Sequence, residues 1–309
     1  MNKESNNTFK AVSTYIVDEE YDGVRLDNCL FNKLKGVPKS RVYSMIRKGE
    51  VRINGSRSKP EFKLEMGQKI RIPPHNLKPI KPYKPDNSVL KMVKEKIVYD
   101  KDHILVIDKP EGLASHGGSG LKLGLIEAVR QIDKRFQNAQ LVHRLDKDTS
   151  GCIVLTLKKS ILRILNEEIR EGNVEKKYLA VVSGKWPKEK KFINLKLKKN
   201  ILSSGERKVN VSEEGKDSIT KFRILRTNEN LTLLECELIT GRMHQIRVQV
   251  NNEGFPIVGD LKYGTKKIND VYKEKGVKRM LLHSAKINFI NLGLTFKSEA
   301  PKIFYEILT

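Results

Sequence analysis

A run of prolines is the feature that most constrains how this chain can fold. Residues 73–96 read PPHNLKPIKPYKPDNSVLKMVKEK, and five of the first thirteen are proline. Because proline has no backbone N–H and a fixed φ, neither a sheet ladder nor a helix is expected there. We therefore predict a basic linker over residues 75–95, which separates a small unit at 14–74 from a larger unit at 96–309.

The small unit has the pattern of a compact module of helices and strands. Residues 1–13 begin polar and Asn-rich and are predicted to be disordered. Apolar side chains at helical spacing predict helices at 26–34 and 40–47, with a Gly-Val-Pro break between them. Two short strands are predicted at 51–53 and 69–72.

The charge of the chain indicates a polyanionic partner. Lys and Arg number 60 against 37 Asp and Glu, a formal net charge of +23. Such an excess repels itself unless a polyanion neutralises it, so nucleic acid is the predicted partner. A Lys-biased composition is the competing explanation. A membrane partner is not expected, because the sequence has no uninterrupted apolar run near 18 residues.

The cysteines and histidines favour neither a disulfide nor a metal site. The six histidines show no H-x-x-x-H pairing, and no C-x-x-C spacing links the three cysteines, Cys29, Cys152 and Cys236. The cysteines are predicted to be reduced packing residues, which fits a reducing cytoplasm. We therefore expect no metal and a cytoplasmic location.

A charged segment at residues 142–151, VHRLDKDTSG, holds the candidate chemistry. It lies between apolar Leu141 and a predicted strand that begins at Cys152, and so is interpreted as a loop. Neighbouring positive charge lowers the pKa of a carboxyl group by about 1–3 units, which makes Asp146 a candidate nucleophile. An Asx-turn with a surface ion pair is the alternative interpretation of the same residues.

Three ordered motifs resemble those of the RluA-type pseudouridine synthases. HRLDKDTSG at 143–151 matches the family signature, whose first aspartate is the nucleophile and corresponds to Asp146. KKYLA at 176–180 matches K-x-Y-x-A, and TGRMHQIRVQ at 240–249 matches TGR-x-HQIRVH. The resemblance extends from Ile97 to the C-terminus.

Further strings narrow the resemblance. SHGGSG at 115–120 and KNILSSGER at 199–207 are similar to the RluC subgroup, which modifies large-subunit ribosomal RNA. RLDNCL, KSRVYSMIRKGEVRINGS and LEMGQKIRIP, within residues 20–74, resemble the S4 (alpha-L) RNA-binding module that this subgroup carries. The second helix of that module would present four cations to RNA phosphates, with a solvated charged face as the alternative: Lys39, Arg41, Arg47 and Lys48.

The resemblance also implies roles for the site residues. Asp146 attacks the extruded uridine, Arg144 fills the space that the base leaves, Tyr178 stacks on the uracil and takes the C5 proton, and Arg247 pairs with Asp146. The chemistry needs no cofactor and no metal. The remaining motif residues are assigned to RNA contact and base flipping: His143, Arg242 and His244.

The implied fold is α+β, with a central, mainly antiparallel mixed sheet and flanking helices, preceded by the small S4-like domain. The implied function is isomerisation of uridines in 23S (large-subunit) ribosomal RNA by a monomer. A noncatalytic RNA-binding or ribosome-assembly factor on the same fold is the alternative. The sequence leaves open which uridines react and whether Asp146 attacks C1′ or C6.

Two positions depart from the family motif. Met243 stands where Thr or Ser is usual, and Gln249 stands where His is usual. Both lie near Arg247, so they put in doubt how the side chains beside that arginine pack.

Overall fold

The computed structural model forms two compact units, Met1–Lys84 and Pro85–Thr309. The residues that it describes are 8–34, 36–77, 85–117, 123–201 and 206–309. Several predictions therefore lie partly outside the described residues: the linker at 78–84, the end of SHGGSG at 118–120, the middle of KNILSSGER at 202–205, and the first seven residues.

The N-terminal unit packs two helices against a small antiparallel sheet. Its elements are β1 (Thr8–Lys10), β2 (Ser13–Ile16), a 3-10 turn (Glu19–Tyr21), α1 (Leu26–Lys33), α2 (Lys39–Arg47), β3 (Arg52–Ile53), β4 (Lys69–Ile72) and β5 (His75–Leu77). Strand β4 lies between β2 and β3, and β1 pairs with β5. Both helices bury an apolar face in one core, as the helical spacing predicts.

The prediction of a disordered N-terminus is wrong for Thr8–Lys10. That segment pairs antiparallel with His75–Leu77, with Phe9 opposite Asn76. Strand β2 then starts at Ser13. The local sequence could not reveal β1, because its partner lies more than 60 residues later in the chain.

The C-terminal unit is built on one large mixed sheet. Its elements are α3 (Asn87–Glu95), β6 (Ile97–Lys101), β7 (Ile104–Lys109), α4 (Leu125–Ile132), β8 (Gln140–Leu141), β9 (Ser150–Thr156), α5 (Lys159–Glu171), β10 (Val174–Ser183), β11 (Phe192–Ile201), β12 (Arg207–Val211), β13 (Lys216–Thr227), β14 (Leu231–Leu238), α6 (Gln245–Asn252), α7 (Lys266–Glu274), β15 (Leu282–Phe289), β16 (Leu294–Lys297) and α8 (Ile303–Glu306). A 3-10 turn follows α4 at Lys134–Phe136.

The strand order of this eleven-stranded sheet is β12-β11-β13-β14-β10-β15-β9-β7-β6, with β16 beside β15 and β8 beside β9. Among the described strand pairs, β9 and β15 run parallel and the others antiparallel. The predicted α+β class with a mainly antiparallel mixed sheet is therefore confirmed.

The interpretation of residues 75–95 as a linker without regular structure is wrong at both ends. His75–Leu77 is strand β5, and Asn87–Glu95 is helix α3. The last proline of the run is Pro85, and the next residue, Asp86, caps the helix by accepting a hydrogen bond from Ser88 N at 2.9 Å. Val93 of α3 is fully buried in the core of the C-terminal unit, so the helix belongs to that unit.

The start of β9 fixes where the loop before it can lie. Gly151 has φ +107°, and a Cβ there would lie 2.3 Å from Ser284 O on β15. A side chain at this position would therefore separate the two parallel strands. The three cysteines are buried, and none of them forms a disulfide within the described residues. Within the part of the chain that the structure describes, no helix combines the length and apolar character needed to span a bilayer.

Candidate active site

The loop that carries Asp146 is held by hydrogen bonds to its backbone. Ser115 Oγ donates to Leu145 O at 2.6 Å and accepts from Leu145 N at 3.0 Å, so one hydroxyl satisfies both backbone polar groups of that residue. The backbone amide of Val154 on β9 donates to His143 Nε2 at 3.1 Å. Asp146 is therefore presented by a fixed loop.

His143 attaches this loop to strand β9. Burial lowers its pKa to about 3, and the charge of Lys176 adds to the effect, so the ring is neutral and Nε2 is free to accept. His143 had been assigned to RNA contact. The structure instead places its acceptor nitrogen against the protein backbone.

Lys109 also holds this loop in place, although the sequence did not predict a role for it. Its ammonium group is fully buried and donates to the carbonyl oxygens of Pro110 at 2.7 Å, Leu113 at 2.8 Å and Lys147 at 3.0 Å. Burial lowers the pKa of Lys109 to about 8, while the charges of Asp148 and Asp146 act in the opposite direction. The only signal in the sequence was a lysine at the end of a strongly apolar strand.

Asp146 is one end of a buried ionic chain. Arg247 Nη1 on α6 donates to Asp146 Oδ2 at 3.0 Å, while its Nε and Nη2 donate to the two carboxylate oxygens of Asp260, each at 2.8 Å. The Asp260 side chain is 1% exposed and that of Arg247 5%, whereas that of Asp146 is 26% exposed. Of these three side chains, Asp146 is therefore the one that solvent or a substrate can reach. The predicted pairing of Asp146 with Arg247 is present.

Asp260 was missed by the sequence reasoning. Burial opposes its ionisation, but hydrogen bonds and charge from Arg247, together with the amides of Lys262 and Tyr263, outweigh it and lower its pKa. The pKa of Arg247 is raised, because contacts with Asp260 and Asp146 outweigh its own burial. Both partners thus remain charged inside the protein.

The turn around Asp260 is rigid. Asp260 Oδ1 accepts hydrogen bonds from Lys262 N at 2.9 Å and Tyr263 N at 3.1 Å. Gly259 before it has φ +80°, and a Cβ there would lie 2.0 Å from Arg279 O. Only glycine can lie this close to the Arg279 backbone. The turn therefore fixes the Asp260 carboxylate, and this carboxylate orients Arg247.

His244 faces Asp146 without bonding to it. The Val209 amide donates to Tyr263 Oη at 3.0 Å, and the Tyr263 hydroxyl lies 2.7 Å from His244 Nδ1. This hydroxyl can then donate to Nδ1, which leaves the proton of the ring on Nε2, 3.7 Å from Asp146 Oδ2. Burial lowers the pKa of His244, so a neutral ring is expected there.

Tyr178 lies on β10 at an irregularity in the sheet. The pairing of β10 with β15 shifts register between Lys177 and Tyr178, a feature that redirects side chains. Burial raises the pKa of the Tyr178 phenol, a hydrogen bond with Ser284 acts in the opposite direction, and the negative charge of Asp146 raises it further. The phenol is therefore neutral and close enough to Asp146 to sense its charge.

Two arginines of the motifs lie at the surface. Arg144 is exposed, and its Nη1 is 3.5 Å from His116 Nε2, at the limit of a hydrogen bond. Arg242 is also exposed and donates from Nε to Asp217 O at 3.0 Å. The structure does not bring either of them into the ionic chain of Asp146.

A cavity of about 930 Å³ opens in front of Asp146. Pockets of about 300–1,000 Å³ hold ligands of the size of a nucleotide. Its walls combine the ionic chain with further cations: Asp146, His244, Arg247, Lys262, Lys273 and Arg279 are among the lining residues.

The chain is similar to known proteins over most of its length. The model of the RNA pseudouridylate synthase family matches residues 103–252, and that of the S4 domain matches residues 24–70. Ribosomal large subunit pseudouridine synthase C of Salmonella typhi is 45% identical over 285 residues, which cover 90% of this chain and 89% of that protein. The protein of the same name from Escherichia coli strain K12 is 43% identical over 297 residues, which cover 94% of this chain and 93% of that protein.

The chain belongs to the RNA pseudouridylate synthase family. Solved structures share the fold of this family: human RNA pseudouridylate synthase domain containing 4 superposes with a TM-score of 0.58 at 24% identity, over 71% of this chain and 93% of that one. Human RNA pseudouridylate synthase domain containing 1 superposes with a TM-score of 0.57 at 24% identity, over 74% of this chain and 89% of that one. The predicted family is confirmed.

The two departures from the motif of the pseudouridylate synthase family are accommodated by packing. Gln249 is fully buried, donates from Nε2 to Ser218 O at 2.8 Å and accepts from Thr220 Oγ1 at 2.6 Å. Its amide is thus satisfied on both sides. Met243 precedes α6 and packs in a small apolar cluster with Val248 of that helix. Neither residue disturbs the contacts of Arg247.

The S4 domain presents the four predicted cations of α2 at its surface, and we call them the α2 edge: Lys39, Arg41, Arg47 and Lys48. They are not equivalent. Arg41 is already bound by both oxygens of Glu50, at 3.1 and 2.7 Å. Lys39 Nζ lies 5.1 Å from the ring centre of Phe31, whereas Arg47 and Lys48 form no ion pair with any described residue.

Proposed function

We propose that this member of the RNA pseudouridylate synthase family isomerises specific uridines of 23S (large-subunit) ribosomal RNA, with Asp146 as the nucleophile. The observation that carries the proposal is a partly exposed carboxylate at a cavity wall, held by a buried arginine that a second carboxylate fixes. The relatives named ribosomal large subunit pseudouridine synthase C support the choice of RNA.

The reaction breaks the bond from C1′ to N1, forms a bond from C1′ to C5, removes the C5 proton and returns a proton to N1. Asp146 supplies the pair of electrons that attacks either C1′ or C6. Arg247 orients this carboxylate through one N–H while Asp260 occupies the rest of the guanidinium. A base in a stacked helix must first be extruded, and the cavity has room for it.

Tyr178 would stack on the uracil, as the resemblance of KKYLA at 176–180 to the family motif implies. Its raised pKa means that the phenol carries its proton, so it does not act readily as the acceptor of the C5 proton. The Asp146 carboxylate, once released from the sugar or base, is the alternative acceptor. Arg144, exposed beside the loop, remains available to enter the space that the base leaves.

We further propose that residues 14–74 form the RNA-binding S4 domain and that residues 96–309, together with α3, form the catalytic domain. The enzyme would act as a monomer in the cytoplasm, without metal or cofactor. The RNA-binding role is supported by the exposed cations of the α2 edge, of which Arg47 and Lys48 form no ion pair with a described residue.

The decisive test is release of tritium from uracil C5 in transcribed 23S ribosomal RNA. We expect release with the wild-type protein, accompanied by pseudouridine at a small number of positions. Mapping pseudouridines in ribosomal RNA from cells with and without the protein identifies those positions. RNA binding without tritium release would instead support the noncatalytic alternative.

A further inference from the structure

Helix α7 and the turn after it form one wall of the cavity that holds Asp146. The segment 262–279 contains seven basic residues and two acidic ones. Its lining residues include Asn269, Lys273 and Lys278. None of these belongs to the motifs that identify the family.

Lys273 lines the cavity from a helix that is fastened to the rest of the site. Asn269, one turn earlier on the same face, donates from Nδ2 to Asp260 O at 3.0 Å and accepts from Gly259 N at 3.0 Å. Tyr272 anchors the other side of the helix in the core. Asn269 therefore fastens α7 to the turn that also orients Arg247, so the backbone that carries Lys273 is held beside that turn.

The two lysines carry charge that the protein does not neutralise. Three other cavity cations are paired: Arg247 with Asp146 and Asp260, Lys262 with Glu206, and Arg279 with Glu111. Lys147 and Lys208, in the motif loop and on β12, also line the cavity and form no ion pair within the described residues. Lys273 and Lys278 are exposed and form no ion pair within the described part of the chain. Five carboxylates also line the cavity: three belong to the pairs just named, and the other two, Asp148 and Asp270, are exposed to solvent.

We propose that Lys273 and Lys278 bind phosphates of the RNA strand on either side of the extruded uridine, and we call this pair the α7 ledge. The inference rests on the proposed function, because it names where in the same cavity the substrate backbone lies. Lysine is a compact charge that contacts phosphate without reading the base. The ledge would hold the strand in register while the site selects the uridine.

The chain offers a matched control on the same helix. Lys267 and Lys275 are also exposed, but they do not line the cavity. The variants K273Q/K278Q and K267Q/K275Q therefore remove the same net charge, but only the first pair removes it from the lining of the cavity. K273R/K278R keeps the charge on the ledge.

The experiment measures binding to transcribed 23S ribosomal RNA as a function of salt, and KM and kcat from tritium release. For K273Q/K278Q we expect about tenfold or greater loss of affinity near 0.1 M salt and a salt slope smaller by about 0.7–0.9 per lost contact. The loss should appear in KM rather than in kcat. K267Q/K275Q should change affinity by less than about threefold, and K273R/K278R should stay close to wild type.

Equal salt slopes and affinities for the two glutamine pairs would overturn the ledge, since net charge alone would then explain both. A loss of affinity in K273R/K278R equal to that of K273Q/K278Q would also overturn it. The binding measurement is independent of catalysis. If wild type released no tritium, the proposed function would fail, while a difference in slope between the pairs would still support the ledge as an RNA-binding surface.

Discussion

The ionic chain of Asp146 and the α2 edge both contain arginines, yet they are built in opposite ways. Arg247 is buried and bound on two sides by carboxylates. The cations of the α2 edge are exposed, and only Arg41 among them is held by a carboxylate. Burial fixes geometry at the cost of desolvation, whereas exposure leaves charges screened and movable.

This difference teaches where single substitutions should matter. A buried pair loses much when one partner is removed, because the other is left charged and without water. An exposed charge contributes about 0–1 kcal/mol and acts together with its neighbours. We therefore expect steep, local effects around Asp146 and shallow, salt-dependent effects on the α2 edge.

The largest effect is expected for Asp146→Asn. The amide cannot serve as a nucleophile, so tritium release should fall by about 10⁴-fold or more, the scale of nucleophile removal in other enzymes. Asp148→Asn, in the same loop, removes the same charge and should remain within about tenfold of wild type. Retained RNA binding by Asp146→Asn separates loss of chemistry from loss of folding. Comparable activity of the two variants would remove Asp146 from the mechanism.

The next effect is expected for Asp260→Asn. The variant leaves Arg247 buried with one carboxylate instead of two, which should lower the free energy of unfolding by about 3–5 kcal/mol. It should also lower kcat, because Asp146 loses its fixed partner. Glu167→Gln, which breaks the exposed pair with Arg170, is the control and should cost less than about 1 kcal/mol. Denaturant titration measures both, and equal costs would erase the proposed contrast between buried and exposed pairs.

Asp260 also marks the limit of what the sequence could predict. Asp146 and Arg247 each lie in a long motif, so their pairing could be predicted although they are 101 residues apart. Asp260 reaches Arg247 through a turn in which the backbone of Gly259 contacts Arg279, and no local pattern encodes that approach. The same reason explains why β1 was missed, since its partner strand comes from a distant segment.

Lys109 and α3 were missed for different reasons. A lysine is expected at the surface, and burial of Lys109 becomes possible only when three carbonyl groups converge on it. Helix α3 was missed because the prolines predict an irregular segment only as far as Pro85. Asp86, the next residue, is a favourable N-cap for a helix. The motifs thus predicted the reacting groups, whereas the supporting contacts emerged only from the fold.

A smaller effect is expected from the titration of Lys109. Its pKa is about 8 in the folded chain against 10.5 ordinarily, so between these values the unfolded chain binds more protons and stability rises with pH. Relative to Lys109→Met, the wild-type free energy of unfolding should increase by about 1–3 kcal/mol from pH 8 to 10.5. Denaturant titrations at several pH values measure the difference. A gap between the two proteins that is independent of pH would mean that the three carbonyls keep the ammonium charged.

The smallest effect is expected on the α2 edge. Glu50 holds Arg41 with both oxygens, so Glu50→Gln should release that guanidinium for phosphate and tighten RNA binding by about twofold to tenfold. Glu19→Gln removes the same charge from an exposed position outside α2 and controls for net charge. The gain should shrink as salt is raised, because exposed charges are screened. If both variants bound RNA equally well at every salt concentration, Arg41 would have no specific place on the RNA, and the α2 edge would act only through its total charge.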